Sequence, residues 1–476
     1  MISTGYKQPK GFSVFFLTEM WERYGFYVLQ TLLVFYLLKE LHLSDKEVYV
    51  ITGSFTALAY INCIFGGMIA DRFIGSSNAV IVGGVALFVG YCLLASAIDS
   101  RLSTISLGLI TVGTGLLKPN ISSLLSILYP EENEQFKDSG YTLYYVGIYV
   151  GALGGSLLGG YIQKHMGWSL TFFSAAIAIL LGMIIFVCGK FKYKLFDSRK
   201  QGIHKRDCLL AMISILLMFL VSCAAIHSEF LSNWIMIVIA LFCLGLMLFC
   251  ICIHHGNKKL KLIAFSGLVL LLVCYWAINF QQFFSIALAI KRTASLPFPP
   301  SSMSSVESLG IIIFGPIISY IWFYFKNKNI DVSIPAKFSL GFLFNSLCFL
   351  ILAGGLWYAS CHNIYFNGWF ILPAYLLLAI GELCISPTSL AMVTTLVPKK
   401  YASMMMGIAL LSIGFGGGKI AGLLATESVV DTKMHNLAET QTIYVNAFFI
   451  YFLISVVMFI VSLILGRYIN KLINIK

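Results

Sequence analysis

The sequence predicts an all-α membrane protein with fourteen transmembrane helices. Of its 476 residues, 59% are hydrophobic and only 11% are charged, whereas soluble domains carry about 25% charged residues. Runs of eighteen or more apolar residues recur along the chain, and each is long enough to cross a hydrocarbon layer roughly 30 Å thick. Because backbone groups in lipid must form their hydrogen bonds within the segment, each run is predicted to be a helix.

The predicted helices follow one another along the whole chain. They span residues 12–38, 48–70, 76–98, 102–128, 139–163, 168–189, 208–226, 233–253, 262–290, 306–325, 338–358, 369–395, 401–425 and 442–467. The polar N-terminus leads into the first apolar run without a small-residue cleavage site, so we expect a first helix there and not a signal peptide.

Lysine and arginine residues cluster in alternate loops of this arrangement. Lys7 and Lys10 precede the first helix, the basic stretch 190–207 follows the sixth, and residues 467–476 end the chain. An excess of these residues marks the cytoplasmic side of a membrane protein. The sequence therefore predicts a multi-pass protein of the cell inner (plasma) membrane with both termini in the cytoplasm.

Composition argues against several other classes of protein. The net charge of +12 lies largely in these loops, and the twelve cysteines fall mostly within apolar runs without a Cys-x-x-Cys pair. Small apolar packing is therefore favoured over a metal or redox role for the cysteines. The chain also lacks a His-Glu-x-x-His zinc motif and a Gly-x-Ser-x-Gly elbow, which are typical of two enzyme classes. We expect no enzyme activity, cofactor, metal or nucleic-acid partner.

The basic stretch divides the predicted helices into six, an inserted pair and six. We expect an N-terminal six-helix bundle over residues 1–189, a linker with the inserted pair over 190–260, and a C-terminal six-helix bundle over 261–476. Two pseudo-symmetric bundles are typical of transporters that bind substrate near the bilayer midplane. The inserted pair has no acid or base within its helices and is predicted to be peripheral.

Three charged residues lie inside the first predicted helix. Glu19, Glu22 and Arg23 share one helix face, which Phe26 and Gln30 continue. Each ionised side chain costs about 2.5–3.5 kcal/mol at the centre of a membrane helix, so the group is expected to face a polar cavity or to pair internally. A fixed ion pair is one interpretation. The other is a proton-binding group, because two acids and one base leave one acid free.

Lys118 lies deep in the fourth predicted helix. Thr114 and Ser122 extend its polar face by one turn on either side, and Pro119 is expected to loosen the backbone hydrogen bonds and expose a carbonyl. A lysine near a helix end can extend its side chain to the interface. Lys118 is about ten residues from the end of its helix, so a functional role is favoured.

Two acids are candidates in the second half of the chain. Glu382 lies in the twelfth predicted helix, where Ser386 and Ser389 share its face and Pro387 predicts a kink. Burial favours the protonated form of a carboxyl, so Glu382 is a candidate proton carrier, a partner for an ammonium group, or a structural carboxyl. Glu307 stands near a helix start, where the helix dipole also stabilises an anion without any further function.

Several segments together resemble the proton-dependent oligopeptide transporters. Glu19-Met-Trp-Glu22-Arg23-Tyr24 resembles that family's Glu-x-x-Glu-Arg-Phe signature, and residues 113–120 resemble its lysine segment in the fourth helix. Residues 138–145 and 381–387 are similar to its motifs in the fifth helix and the second bundle. Gly67-x-x-x-Asp71-Arg72-x-x-Gly75 is similar to the loop motif of the wider major facilitator superfamily.

The resemblance implies a major facilitator fold, with two six-helix bundles plus two inserted helices, and proton-coupled import of di- and tripeptides by alternating access. It implies that Glu19, Glu22 and Arg23 form the proton-responsive group, to which we add Glu307. Arg23 and Lys118 would bind the peptide carboxylate and Glu382 the amino group. The remaining residues assigned to substrate binding are Tyr27, Gln30, Tyr60, Tyr149, Asn279, Gln282 and Ser386. The expected partners are peptide, protons and the lipid bilayer, with the chain acting as a monomer.

Four positions depart from the family pattern. Tyr149 replaces an asparagine, Ala409 replaces a tryptophan, residues 276–281 lack the usual acid, and Glu307-Ser308 replaces Asn-Pro. These changes leave open a second interpretation, a proton-coupled carrier of another small solute such as an amino acid or a modified peptide. They also suggest that Glu307 replaces the missing acid as the partner of Lys118 across the bundles.

Overall fold

The computed structural model describes residues 8–97, 99–129, 137–193, 204–328, 332–431 and 436–473. Lys7, residues 194–203 of the basic stretch, and Lys476 lie outside the described residues. The helices are α1 Phe12–Lys39, α2 Asp45–Ile69, α3 Ser76–Ala95, α4 Ser100–Leu125, α5 Lys137–Tyr193, α6 Lys205–His227, α7 Glu229–Ile253, α8 Gly256–Asn279, α9 Ser285–Thr293, α10 Ser304–Asn327, α11 Ile334–His362, α12 Ile371–Leu396, α13 Ala402–Ser412, α14 Ala421–Ala425 and α15 Leu437–Ile473.

The all-α membrane class is confirmed, although the predicted count of fourteen is not reproduced as such. Within the described part of the chain, twelve helical segments are long and apolar enough to span a membrane. The fifth and sixth predicted helices are both present within Lys137–Tyr193, labelled α5 as a whole, and the non-helical residue Gly167, where φ is 83°, separates them. The charged helix α1 is not among the twelve. Two-residue strands, β1 Ala294–Ser295 and β2 Phe366–Asn367, pair in parallel.

The chain forms two compact units. One contains the residues up to Leu32 and Leu58–His227, and the other contains Leu33–Ala57 and the residues from Ser228 onward. The inserted pair is divided between them, since α6 belongs to the first unit and α7 to the second. The predicted boundaries at residues 189 and 260 describe bundle topology and stay a prediction.

In the first unit, α1 packs closely against α5 because α5 presents glycines four residues apart. A Cβ atom at Gly151 would lie 2.2 Å from the carbonyl oxygen of Met20, and one at Gly155 would lie 2.4 Å from that of Tyr24. No larger side chain fits at these separations, so the glycines let the two backbones approach each other. This contact fixes the rotation of α1 and with it the direction of its charged side chains.

A second close contact joins α2 and α4 next to Lys118. Pro119 has no N–H group, so the carbonyl of Gly115 lacks its usual helical partner. Gly66 of α2 lies against that carbonyl, and a Cβ atom at Gly66 would be 2.1 Å from the oxygen. The Asn120 amide donates to the Leu116 carbonyl at 2.7 Å. The helix continues through the proline, and Lys118 sits one residue before it.

The predicted membrane span over residues 262–290 lies within one spanning segment, Gly256–Thr293, which is not a single uninterrupted α-helix. The chain leaves α8 at Asn279, makes a short 3-10 turn over Phe280–Phe283, and begins α9 at Ser285. The buried Gln281 side chain stabilises this break, since its amide donates to the carbonyls of Ala277 and Ala421 at 3.1 and 2.9 Å. The break lies at the segment from which the family's usual acid is missing.

Candidate substrate and proton site

The charged group of α1 forms a buried ion-pair cluster in the first unit. Arg23 donates to both oxygens of Glu22, at 2.5 Å from Nε and 2.7 Å from Nη2. Its Nε atom is 3.5 Å from Glu19. Relative exposure is 1% for Glu19 and 2% for each of the other two residues, so the three charges are withdrawn from water and depend on one another.

The two acids of this cluster differ in their surroundings. Both oxygens of Glu22 accept hydrogen bonds from Arg23. The Glu19 carboxyl interacts with the Tyr144 hydroxyl, and its Oε2 atom has no hydrogen-bond partner among the described residues. A single arginine neutralises only one of two carboxylates, and a buried oxygen without a donor favours the protonated form. The two acids are therefore not equivalent, since Glu22 is the one whose two oxygens are both bonded to Arg23.

Lys118 lies in the same unit as this cluster. Its Nζ atom is 4.5 Å from the centre of the Tyr60 ring, a separation suited to a cation–π contact. The positive charge of Lys118 also acts on Glu19. Ser122 donates to the Lys118 carbonyl at 3.2 Å and lies 3.3 Å from the Tyr144 hydroxyl. Lys118 therefore contacts Tyr60, and its charge is close enough to act on Glu19.

The other residues assigned to substrate binding in the first unit pack within its interior or against neighbouring rings. Gln30 is 1% exposed, and Tyr27 packs edge-on against Phe26 with ring centroids 5.7 Å apart. Tyr149, which replaces the family's asparagine, packs against Tyr145 at 5.2 Å, and its hydroxyl donates to that of Tyr145 at 3.4 Å. The larger side chain of Tyr149, packed on Tyr145, thus stands where the family has the smaller side chain of asparagine. Their roles in binding stay predictions.

The second unit contains the candidate acids of α10 and α12. The Glu307 carboxyl lies close enough to the side chains of Asn279, Gln282 and Glu382 to interact with them electrostatically. Glu307 is 6% exposed, and its Oε1 atom has no partner among the described residues. Ser386 lies one turn beyond Glu382 and is half-buried, with its carbonyl accepting the Ser389 hydroxyl at 2.7 Å. Three residues that the sequence assigned to this half, Asn279, Gln282 and Glu382, therefore lie around Glu307.

More polar side chains surround this acid pair than the sequence had indicated. Asn279 donates to the Tyr275 hydroxyl at 3.4 Å. A Cβ atom at Gly381, next to Glu382, would lie 3.1 Å from that hydroxyl and 3.4 Å from Asn345 Oδ1. Asn345 is fully buried, and neither polar atom of its side chain has a described partner. In the sequence, the only sign that Asn345 belongs to this site is its position within an apolar helix. A single asparagine there is weak evidence for a site.

Two further charged groups were missed because they lie at helix ends or in a glycine-rich segment. Asp45 and Arg292 form a bidentate ion pair at 2.6 and 2.7 Å within the second unit. Lys419 is 6% exposed in the π-helical segment Ile413–Ile420, where it donates to Ser232 of α7 at 3.3 Å. Lys419 is therefore a buried base in addition to the cations that the sequence had indicated.

Cations and acids therefore lie within the helices that carry the family motifs. The model of the POT family matches residues 77–443. The chain belongs to the POT family. Among its relatives, dipeptide and tripeptide permease B of Yersinia enterocolitica is 29% identical over 98% of this chain and 96% of its own. Dipeptide and tripeptide permease A of Salmonella typhimurium is 30% identical over 91% of this chain and 87% of its own.

Solved structures of related transporters share the fold of this POT-family protein. A bacterial homologue of the human drug peptide transporters PepT1 and PepT2 aligns with a TM-score of 0.84 and 23% identity, covering 97% of this chain and 99% of that one. Tetrameric PepTSo2 aligns with a TM-score of 0.84 and 23% identity, over 97% and 98% of the two chains. The predicted fold of a major facilitator transporter is confirmed.

Proposed function

We propose that this POT-family protein imports di- and tripeptides together with protons by alternating access. The observation that carries the proposal is the set of charged residues within the helices of each unit. Arg23 with its two acids and the half-buried Lys118 lie in the first, and the buried Glu307 and half-buried Glu382 lie in the second. Burying ionisable groups in membrane helices is costly, so their presence in a membrane protein indicates a substrate or proton pathway.

The two sets of charges complement the two ends of a peptide. A peptide zwitterion requires cations for its carboxylate and an anion for its amino group. Arg23 and Lys118 can supply the first, and Glu382 the second. The guanidinium of Arg23 is already paired with Glu22, so protonation within this cluster would release it for a substrate carboxylate. Binding of proton and substrate would thereby be linked.

We further propose that the protein lies in the inner membrane with both termini in the cytoplasm and transports as a monomer. The basic residues in alternate loops support the orientation. Transport as a monomer is supported by the presence of both sets of charged residues in one chain. Labelling of cysteines added at the two ends would test the orientation. Exposure of either terminus to an impermeant reagent outside the cell would contradict it.

Uptake of a labelled dipeptide into proteoliposomes tests the function directly. We expect accumulation with an inward proton gradient, loss of accumulation with an uncoupler, and competition by unlabelled dipeptides. Glu382→Gln should weaken substrates with a free amino group more than N-acetylated peptides, whereas the exposed Glu40→Gln and Glu439→Gln serve as matched controls.

Three results would contradict parts of this proposal. Uptake driven by sodium with protons equilibrated would exclude proton coupling. Competition by single amino acids or modified peptides, but not by dipeptides, would establish the alternative solute class. Equal losses for free and acetylated peptides in Glu382→Gln would exclude recognition of the amino group at that residue.

A further inference from the structure

The π-helical segment Ile413–Ile420, called the glycine segment below, brings a lysine into the interior of the second unit. Lys419 is 6% exposed, and its ammonium group donates to the Ser232 hydroxyl of α7 at 3.3 Å. Charged side chains are rare in membrane segments because their removal from water is costly, and those that are present usually have a function. Lys419 belongs to neither of the charged groups that were assigned to protons and substrate.

Ser232 is the residue at which three elements meet. It is fully buried, and its hydroxyl oxygen lies 2.8 Å from that of Ser54 in α2. A lysine ammonium group can only donate hydrogen bonds, so Ser232 accepts from Lys419 and keeps its own hydrogen available for Ser54. One hydroxyl of α7 therefore connects the glycine segment with α2.

The backbones of α2 and the glycine segment touch each other beside this junction. A Cβ atom at Gly53 would lie 2.9 Å from the Gly418 carbonyl oxygen, and one at Gly418 would lie 2.5 Å from the Ala57 nitrogen. Ser54 and Lys419 directly follow these two glycines in the chain. The polar junction is therefore part of a contact in which no side chain separates the two backbones.

Apart from Ser232, the surface of α7 is apolar. Its buried residues are Ser232, Met236, Met247 and Cys250, and the side chains that it exposes include Trp234 and Phe242. An apolar helix inserts into lipid without the help of a hydroxyl group. Lys419 gives the buried hydroxyl of α7 a purpose, because without α7 the ammonium group would lose the acceptor that the structure describes for it.

The helix α2 is shared by the two units. Its residues up to Ala57 belong to the second unit, and those from Leu58 onward belong to the first. If the two units change position relative to each other, one half of α2 has to leave its unit or the helix has to bend. The junction of Ser54, Ser232 and Lys419 holds the half that belongs to the second unit.

We propose that Lys419 is a positioning residue that makes the inserted helix α7 part of the transport machinery. Together with Ser232 it holds the first half of α2 on the glycine segment, and this junction separates during each transport cycle. The separation rests on the proposed function by alternating access, whereas the junction itself does not.

A double-variant cycle on the purified full-length protein tests the junction without any substrate. Ser232→Ala should lower the midpoint of thermal unfolding, because the buried ammonium group loses its acceptor. In a Lys419→Met background the same substitution should shift the midpoint by less than about half as much, since residues in contact do not act additively. Lys419→Gln, an uncharged donor, provides a second background. Ser214→Ala is the control, because Ser214 bonds the Leu210 carbonyl of its own helix.

A disulfide across the junction tests the separation. Ser54→Cys with Ser232→Cys places two thiols where the hydroxyl oxygens are 2.8 Å apart, which suits a disulfide. Oxidation should slow dipeptide exchange in proteoliposomes at least about tenfold, because a step that opens the protein is blocked, and reduction should restore it. The matched control is Ser339→Cys with Ser462→Cys, whose oxygens are 2.7 Å apart on α11 and α15. Both of these helices lie wholly within the second unit, so this disulfide should leave exchange unchanged.

Equal shifts of the unfolding midpoint by Ser232→Ala in all backgrounds, or no disulfide between positions 54 and 232 by mass spectrometry, would overturn the junction. A disulfide that forms there and leaves exchange unchanged would overturn the separation. An absence of dipeptide exchange by the unaltered protein would overturn the proposed function and with it the separation, and the unfolding cycle would still decide the junction.

Discussion

Arg292 of α9 donates two hydrogen bonds, 2.6 and 2.7 Å long, to the carboxylate of Asp45 at the start of α2. The same guanidinium donates to the Tyr444 hydroxyl at 2.9 Å, and Asp45 also accepts from the Val430 backbone at 3.0 Å. The side chain of Asp45 is 1% exposed and that of Arg292 is 20% exposed. One buried carboxylate therefore connects α2, α9 and the segment that follows α14.

Asp45→Asn should lower the stability of the protein. An amide keeps the shape but loses the charge and one acceptor, and a hydrogen bond to a charged group contributes about 1.5–3 kcal/mol. We expect a lower midpoint of thermal unfolding in detergent. The matched control is Asp99→Asn, at the exposed start of α4, where the side chain accepts from the Leu102 backbone at 2.7 Å and asparagine serves equally well as a cap. Equal midpoints for both variants would contradict the prediction.

Glu22→Gln should abolish concentrative uptake while counterflow exchange stays measurable. We expect the accumulated dipeptide to fall at least about tenfold. The amide keeps the size of the side chain but cannot take up or release a proton, and it weakens the bidentate contact with Arg23. Glu19→Gln removes the acid with the unpartnered oxygen and should also uncouple uptake. Accumulation by Glu22→Gln at the level of Glu40→Gln would place Glu22 outside the coupling path.

Lys118 and Glu307 are predicted to depend on each other although the partners described for each lie within its own unit. Lys118→Gln and Glu307→Gln should each impair coupled uptake, and Lys118→Glu combined with Glu307→Lys should restore part of it. Rates for the single and double variants give the coupling energy between the two sites. Additive losses, with coupling below about 0.5 kcal/mol, would mean that the residues act independently.

Gly66→Ala should destabilise the first unit, whereas Gly67→Ala should not. A Cβ atom at Gly66 would lie 2.1 Å from the Gly115 carbonyl oxygen, but one at Gly67 would meet nothing within 4 Å. Forcing an extra carbon into close packing costs about 1–3 kcal/mol or more. The yield of monodisperse protein and its unfolding midpoint measure the effect. Similar behaviour of the two variants would mean that α2 and α4 separate readily at this contact.

Ser232→Ala should show that α7 is more than peripheral. The Ser232 hydroxyl lies 2.8 Å from that of Ser54 and accepts from the buried Lys419 at 3.3 Å. Its loss removes a partner of a buried ammonium group and should cost about 1–3 kcal/mol in unfolding experiments. Ser214→Ala is the control, since Ser214 of α6 bonds only the Leu210 carbonyl of its own helix in the described contacts, at 2.8 Å. Equal stability of both variants would support a peripheral pair.

Hydrophobic runs and motif residues were sufficient to predict most of the helices and the charged members of the site. The period and length of an apolar run depend only on neighbouring residues, so Glu19, Glu22, Arg23, Lys118 and Glu382 could be placed inside helices from the sequence alone. The break after Asn279 could not be predicted, because Gln281 stabilises it through the carbonyl of Ala421, 140 residues further along the chain.

The sequence by itself determined that this is a helical membrane transporter, because lipid leaves a chain of this composition no other way to satisfy its backbone and because intramembrane charges are too costly to be incidental. Only the tertiary structure decided which charges meet. Glu22, and not Glu19, accepts both hydrogen bonds that Arg23 donates, and Glu307 lies close enough to Glu382 for the two acids to interact. These pairings depend on the rotation and spacing of whole helices, set by contacts such as Gly151 against Met20, which local sequence patterns do not specify.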